Sequence, residues 1–84
     1  MSTEIHNRLR TTIADALNRG ISPSDIVGVN MIEELGMTSV DALEVLIHVE
    51  SEFNIMIDDS DLSQELVTSL DNLADYVNRK MVAA

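Results

Sequence analysis

The side chain with the most chemistry to offer in this chain of 84 residues is a hydroxyl, that of Ser39. There is no cysteine, so no thiolate nucleophile, disulfide or thiolate zinc site can be built. His6 and His48 are the only imidazoles. His48 follows Ser39 by nine residues, more than two helical turns, and cannot activate that hydroxyl along a shared helix. Both histidines read as solvated surface residues. Glu33 and Glu34 form no acid–base pair and read as exposed loop charges. Asp58, Asp59, Asp61 and Glu65 cluster as calcium ligands might in an EF-hand, but that loop needs a glycine at its sharp turn, and none follows Gly36. Neither an enzyme nor a metal site is expected. Ser39 stands apart because it follows Gly36-Met37-Thr38 and opens an apolar-periodic run. At the first position of a helix its oxygen would meet free backbone N–H groups and the positive end of the dipole, which favour a phosphate ester. The plainer reading, a serine that merely starts a helix, stays open on these residues alone.

The elements that must position this hydroxyl are helical. Ile5, Leu9, Ile13 and Leu17 recur every four residues and predict a helix from Thr3 to Arg19, with Ser2 or Thr3 as cap and Gly20 just past its end. A loop from Ile21 to Met37 follows, holding Pro23, Gly28 and Gly36. Ser22 can cap a short turn that has Pro23 at its first position. Met31, Ile32 and Leu35 read as a lid tucked onto the core. The second predicted helix runs from Ser39 to Phe53, with Thr38 as N-cap and Asp41 in the reciprocal place of a capping box. A short third helix is expected from Ser60 to Leu66, capped by Asp59 or Ser60 and burying Leu62 and Leu66. The last begins near Ser69 with the stripe Leu70, Leu73, Ala74, Val77 and Met81, and with Arg79 and Lys80 near its C-terminus. The expected fold is all-α: a small four-helix bundle of three principal helices plus a short third helix, with a long loop after the first, residues 1–84 making one domain.

Charge narrows the partners. Asp and Glu number 15 against 5 Lys and Arg, for a formal charge of −10. Nucleic acid and anionic membranes are disfavoured, and a basic patch on a protein partner is favoured. No apolar run approaches a membrane span, and Met1 to Ile13 lacks the apolar core of a signal peptide. A soluble, cytoplasmic monomer is expected. Abundant Leu, Ile, Val and Met with a single Pro argue against disorder.

The second predicted helix carries two apolar stripes. At about 100° per residue, Ala42, Leu46, Val49 and Phe53 share one face, while Val40, Leu43 and Ile47 share another. A thin core buries one of them. Glu44 borders the second stripe and Glu50 lies between the two, so a partly exposed apolar strip edged by carboxylates is expected. The alternative is that the loop from Gly28 to Met37 covers it.

The stretch Ile32-Glu33-Glu34-Leu35-Gly36-Met37-Thr38-Ser39-Val40-Asp41-Ala42-Leu43-Glu44-Val45, continued by Glu50-Ser51-Glu52-Phe53-Asn54-Ile55, resembles the acyl carrier protein family. That family has a loop ending Leu-Gly-x-Asp-Ser-Leu, an acidic helix, and then Glu-x-x-Phe. The resemblance extends through Val67 to Val77 and so covers essentially the whole chain. It implies that Ser39 carries 4′-phosphopantetheine, placed there from coenzyme A by a phosphopantetheinyl transferase, and that the arm's thiol holds an acyl group as a thioester. It implies partners with basic patches, such as acyl-loading enzymes, ketosynthases or other acyl-transfer enzymes. These would dock on Asp41, Glu44 and Glu50 and on the apolar positions Val40, Leu43 and Ile47 beside them. It places the acyl chain between the second and third helices, with Val49, Phe53, Ile57, Leu62 and Leu66 as candidate lining or, when unloaded, simple core.

Two departures bear on cargo and loading. Thr38 stands where the family has Asp, keeping the cap but dropping a charge beside the serine, and Val40 stands where it has Leu. Both suggest a specialised carrier in a fatty-acid or polyketide-type pathway. Leu35-Gly36-Met37 lacks the Gly-Gly pair common in peptidyl carriers, which favours acyl over aminoacyl cargo. The rivals are an aminoacyl or peptidyl carrier and an acidic helical adaptor whose serine is never modified.

Overall fold

The computed structural model describes residues 3–83. Four helices appear among them: α1 (Thr3–Leu17), α2 (Met31–Leu35), α3 (Ser39–Phe53) and α4 (Leu70–Ala83). No described residue is in a strand, so the all-α bundle expected from the sequence is what forms. Of the proposed caps for α1, Ser2 lies outside the described residues.

Two ion pairs set the direction of the central packing. Arg8 near the start of α1 meets Glu52 near the end of α3, and Arg19, just past α1, meets Asp41 in the first turn of α3. The two helices therefore run antiparallel. Leu9 and Ile13 of α1, Val45, Leu46 and Val49 of α3, and Leu73 and Val77 of α4 are fully buried and form the centre of one core. Each such side chain removed from water contributes about 1.5–3 kcal/mol. The α1 guanidinium of Arg8 also lies over the Phe53 ring, 4.3 Å from its centre.

Several boundaries differ from expectation. α1 ends at Leu17 rather than Arg19, because Asn18 already turns into the left-handed region at φ +50. The loop after α1 contains α2, a single helical turn that sequence periodicity is too short to reveal. Its signals were present: the Asn30 side chain caps the N–H of Glu33, and Gly36 closes it at φ +62. Met31 of α2 is fully buried, with Ile32 and Leu35 packed on the core, so the lid is real. The loop is tied to α4 as well. Gly28 O accepts from the N–H of Leu70 at 2.9 Å. At φ +89, a Cβ on Gly28 would stand 2.6 Å from the Leu70 Cβ, so glycine is needed there.

The expected third helix from Ser60 to Leu66 is replaced by two 3-10 turns, Asp59–Asp61 and Gln64–Val67. Neither Asp59 nor Ser60 acts as a cap; the residues preceding the two turns are Asp58 and Ser63, and neither makes a side-chain capping bond. Leu62 and Leu66 are only half-buried, while Val67 is the fully buried anchor. Met81 is also corrected: it is 41% exposed, because the α4 stripe runs past the last residues it could pack against.

Candidate functional site

Ser39 is the first residue of α3, as expected, and its capping is done by its neighbour. Thr38 Oγ1 accepts from the N–H of Asp41 at 3.1 Å, and Asp41 Oδ2 accepts from the N–H of Thr38 at 3.0 Å. This is a capping box with Asp in place of Glu. Because Thr38 fills the cap, the Ser39 hydroxyl is left over. It is exposed and makes no hydrogen bond to any described residue. Before it, the N–H of Met37 closes onto Ile32 O at 2.9 Å, and the buried Met37 side chain plugs the connection into the core. Ser39 is thus a solvated hydroxyl on a backbone held from below.

Asp41 is more than a cap. Its carboxylate also binds the Arg19 guanidinium. The Thr38 N–H, the largest influence, acts with Arg19 to hold its pKa below the ordinary 3.8, outweighing the opposing desolvation. Beside Ser39 opens a groove of about 270 Å³, lined by Ser39, Val40, Ala42, Leu43 and Leu46 from α3 and by Leu62, Ser63 and Gln64 opposite. The serine sits at its rim, the aliphatic side chains line its walls, and two small polar groups stand across it. A larger groove of about 350 Å³ runs along the α1–α3 seam between Arg8, Asp15, His48 and Glu52, away from Ser39. Its lining residues are all polar or charged, with no leucine, valine or alanine among them.

Residues 7–77 match the family model for a phosphopantetheine attachment site. The chain is 28% identical over 79 residues to an acyl carrier protein of Thermotoga maritima, covering 93% of each. It is 30% identical over 81 residues to an acyl carrier protein of Guillardia theta, covering 95% of each. The chain belongs to the acyl carrier protein family. Members of this family are carriers rather than enzymes, and their prosthetic group, phosphopantetheine, is covalently bound to a serine. A free hydroxyl at an exposed helix start, with a half-apolar groove beside it, fits such an arm.

The other positions picked out on this carrier separate into groups. Val40, Leu43 and Ile47 are 66%, 45% and 52% exposed, so no loop covers the second stripe. The three carboxylates expected to edge it are not equivalent. Glu44 is exposed, and its carboxylate has no partner among the described residues. Asp41 is engaged as above. Glu50 is half-buried, and its carboxylate accepts from the N–H of Ile57 at 2.7 Å, holding the turn that follows the left-handed Asn54. Glu34 likewise is no idle loop charge: it accepts from the N–H groups of Val27 and Gly28 at 2.6 and 3.1 Å. Of the five residues read as acyl lining, Val49, Phe53 and Ile57 are packed in the closed core, Leu66 is half-buried away from the groove beside Ser39, and Leu62 alone lines it.

The acidic cluster read as a calcium rival is also put to structural use. Asp61 accepts from the Tyr76 hydroxyl at 2.8 Å and Asp58 from Lys80 at 3.1 Å. No three His, Asp or Glu residues among the described ones are grouped to hold an ion. Nor is any described helix long and apolar enough to cross a membrane. The histidines are not idle either: His6 Nε2 meets Asp71 at 2.7 Å, and His48 Nδ1 meets Glu44 O at 2.9 Å.

Proposed function

We propose that Ser39 is the residue that carries 4′-phosphopantetheine and that the chain delivers acyl intermediates between enzymes. The observation that carries this reading is the free, exposed Ser39 hydroxyl at the first position of α3, released from capping by Thr38. When bound, the group supplies a long flexible arm ending in a thiol, the acyl-accepting nucleophile that this cysteine-free chain lacks. The N-terminal dipole of α3 and its free N–H groups favour the phosphate on Ser39. The groove of Leu43, Leu46 and Leu62 gives an acyl chain an apolar surface beside the attachment point. The buried Val49, Phe53 and Ile57 lie deeper and serve a loaded chain only if the 58–67 segment shifts outward.

Partners read the exposed trio Val40, Leu43 and Ile47, with Glu44 as the carboxylate left for a basic residue. A phosphopantetheinyl transferase and acyl-transfer enzymes with an apolar groove and a basic rim fit this face. Thr38 in place of a carboxylate, and Val40 in place of Leu, point to a specialised fatty-acid or polyketide-type carrier. The test is incubation with coenzyme A and a broad-specificity transferase, read by intact mass. Wild type is expected to gain one arm, and Ser39→Ala none, with its helical circular dichroism intact. A wild-type chain of unchanged mass, or a Ser39→Ala chain that has lost its helices, would end the reading.

A further inference from the structure

The Ser39 hydroxyl makes no hydrogen bond among the described residues, so its oxygen is placed by the backbone on either side. Upstream, Leu35 and Gly36 end a helix of five residues, too short to satisfy its own last carbonyls. Downstream, Asp41 closes the capping box. One side chain reaches both. Arg19 Nη1 donates to Leu35 O at 2.9 Å and toward Gly36 O at 3.4 Å, while Nη2 binds Asp41 Oδ2. These nitrogens belong to one rigid plane, so the separation between the two anchors is fixed by the guanidinium itself. Arg19 arrives from α1 because Asn18 and Gly20 both adopt positive φ, turning the chain out of the helix toward this junction. The other cations are directed elsewhere: Arg8 to Glu52, Arg10 to Ile26 O, Arg79 to Asp75 and Lys80 to Asp58.

We propose that Arg19 is a positioning residue for Ser39, clamping the turn from both sides and removing Asp41 from the charge that a docking enzyme reads. The proposal rests on Ser39 being the loading site. In the loading step a bond forms between Ser39 Oγ and the phosphorus of the pantetheine phosphate. The phosphoanhydride bond of coenzyme A breaks, adenosine 3′,5′-bisphosphate leaves, and the hydroxyl proton passes to a base on the transferase. Such a displacement needs the oxygen in line with the bond that breaks, so backbone freedom at 36–40 lowers the rate of the step rather than the affinity of docking. Neither the docking trio nor Glu44 supplies a hydrogen bond to the Arg19 guanidinium. Because a partly exposed ion pair contributes little to stability, the fold should stand without it.

The test compares wild type, Arg19→Gln and Arg19→Lys with coenzyme A and a broad-specificity transferase, measuring kcat and KM for the carrier by intact mass and melting by circular dichroism. Arg19→Gln is expected to lower kcat at least about tenfold with KM little changed, since misplacements near 1 Å can cost about a hundredfold. Arg19→Lys keeps the charge opposite Asp41 without the fork and should fall between the two. An unchanged kcat in Arg19→Gln, or a loss carried wholly by KM, overturns the proposal. Should Arg19→Gln fail to fold, Arg19→Lys decides: wild-type kcat there overturns the fork, and a lowered kcat at unchanged KM supports it. A wild-type chain that gains no arm overturns the carrier reading itself and is distinct from every outcome above.

Discussion

The groove beside Ser39 has two walls, and they are built in opposite ways. The α3 wall is closed at both ends: a capping box at Thr38 and Asp41, a left-handed Asn54 at the other end, and Glu50 holding the turn beyond it. The facing wall, residues 58–67, is two 3-10 turns with no side-chain cap. It is held by the buried Val67 and by two side chains reaching across from α4, Tyr76 to Asp61 and Lys80 to Asp58. One wall owes its shape to its own local sequence and the other to a neighbour. A carrier that must present a fixed hydroxyl and also admit cargo of variable bulk can meet both needs this way, with the give on the second wall.

The largest expected effect tests the firm wall. Phe53 is 5% exposed at the end of α3, and Phe53→Ala should cost about 3–5 kcal/mol in denaturant unfolding. Much of a small domain's stability is then lost, for the total is about 5–15 kcal/mol. A cost below about 1 kcal/mol would mean that α3 does not anchor the core.

Next comes a direct contrast between the walls. Thr38→Ala removes a helix cap and should cost about 1–2 kcal/mol. Tyr76→Phe removes one hydrogen bond and should cost about 1 kcal/mol. Amide exchange separates them: Thr38→Ala should speed exchange in the first turn of α3, and Tyr76→Phe in 58–67 only. The same exchange pattern in both variants would erase the distinction.

The smallest effect is one of pH, and the two walls should respond in opposite directions. Burial, and then the bond to Asp61, push the Tyr76 phenol above its ordinary 10.0. The bond to Asp58 raises Lys80 as well. Groups with raised pKa contribute below their unfolded values and lose that contribution as pH climbs through the folded ones. The Asp41 pKa is lowered, so its contribution is present above 3.8 and is lost as pH falls through its folded value. The melting gap between wild type and Tyr76→Phe should therefore hold below pH 10 and narrow as pH climbs above it. The gap between wild type and Asp41→Asn should narrow on the acid side. A Tyr76→Phe gap that stays constant into alkali would detach Tyr76 from the holding of the second wall.

This contrast also explains how far the sequence could be read. α3 was legible to the residue because its signals are local: a threonine, an aspartate three positions on, and apolar spacing to Phe53. The exposed place of Ser39 at the start of α3 was legible for the same reason, and so was the exposed strip of Val40, Leu43 and Ile47. The 58–67 segment was not, because Asp58-Asp59-Ser60-Asp61 bonds its own backbone as readily as it enters a helix, and seven residues cannot nucleate one unaided. The Leu62 and Leu66 spacing imitated a helix that Val67 then anchored differently. The roles of Asp41 and Glu50 were half-visible. A wheel shows where a carboxylate sits on its helix but not that an arginine 22 residues earlier or an amide seven residues later has taken it.

Lys80 is the only lysine of the chain. A thioester is vulnerable above all to amines, since aminolysis would move an acyl group irreversibly onto nitrogen. An ammonium has no lone pair to attack with, and the bond to Asp58 keeps Lys80 in that form. On the proposed carrier reading, the chain has a single side-chain amine that could intercept its freight, and the bond to Asp58 favours the protonated, non-nucleophilic form of that amine.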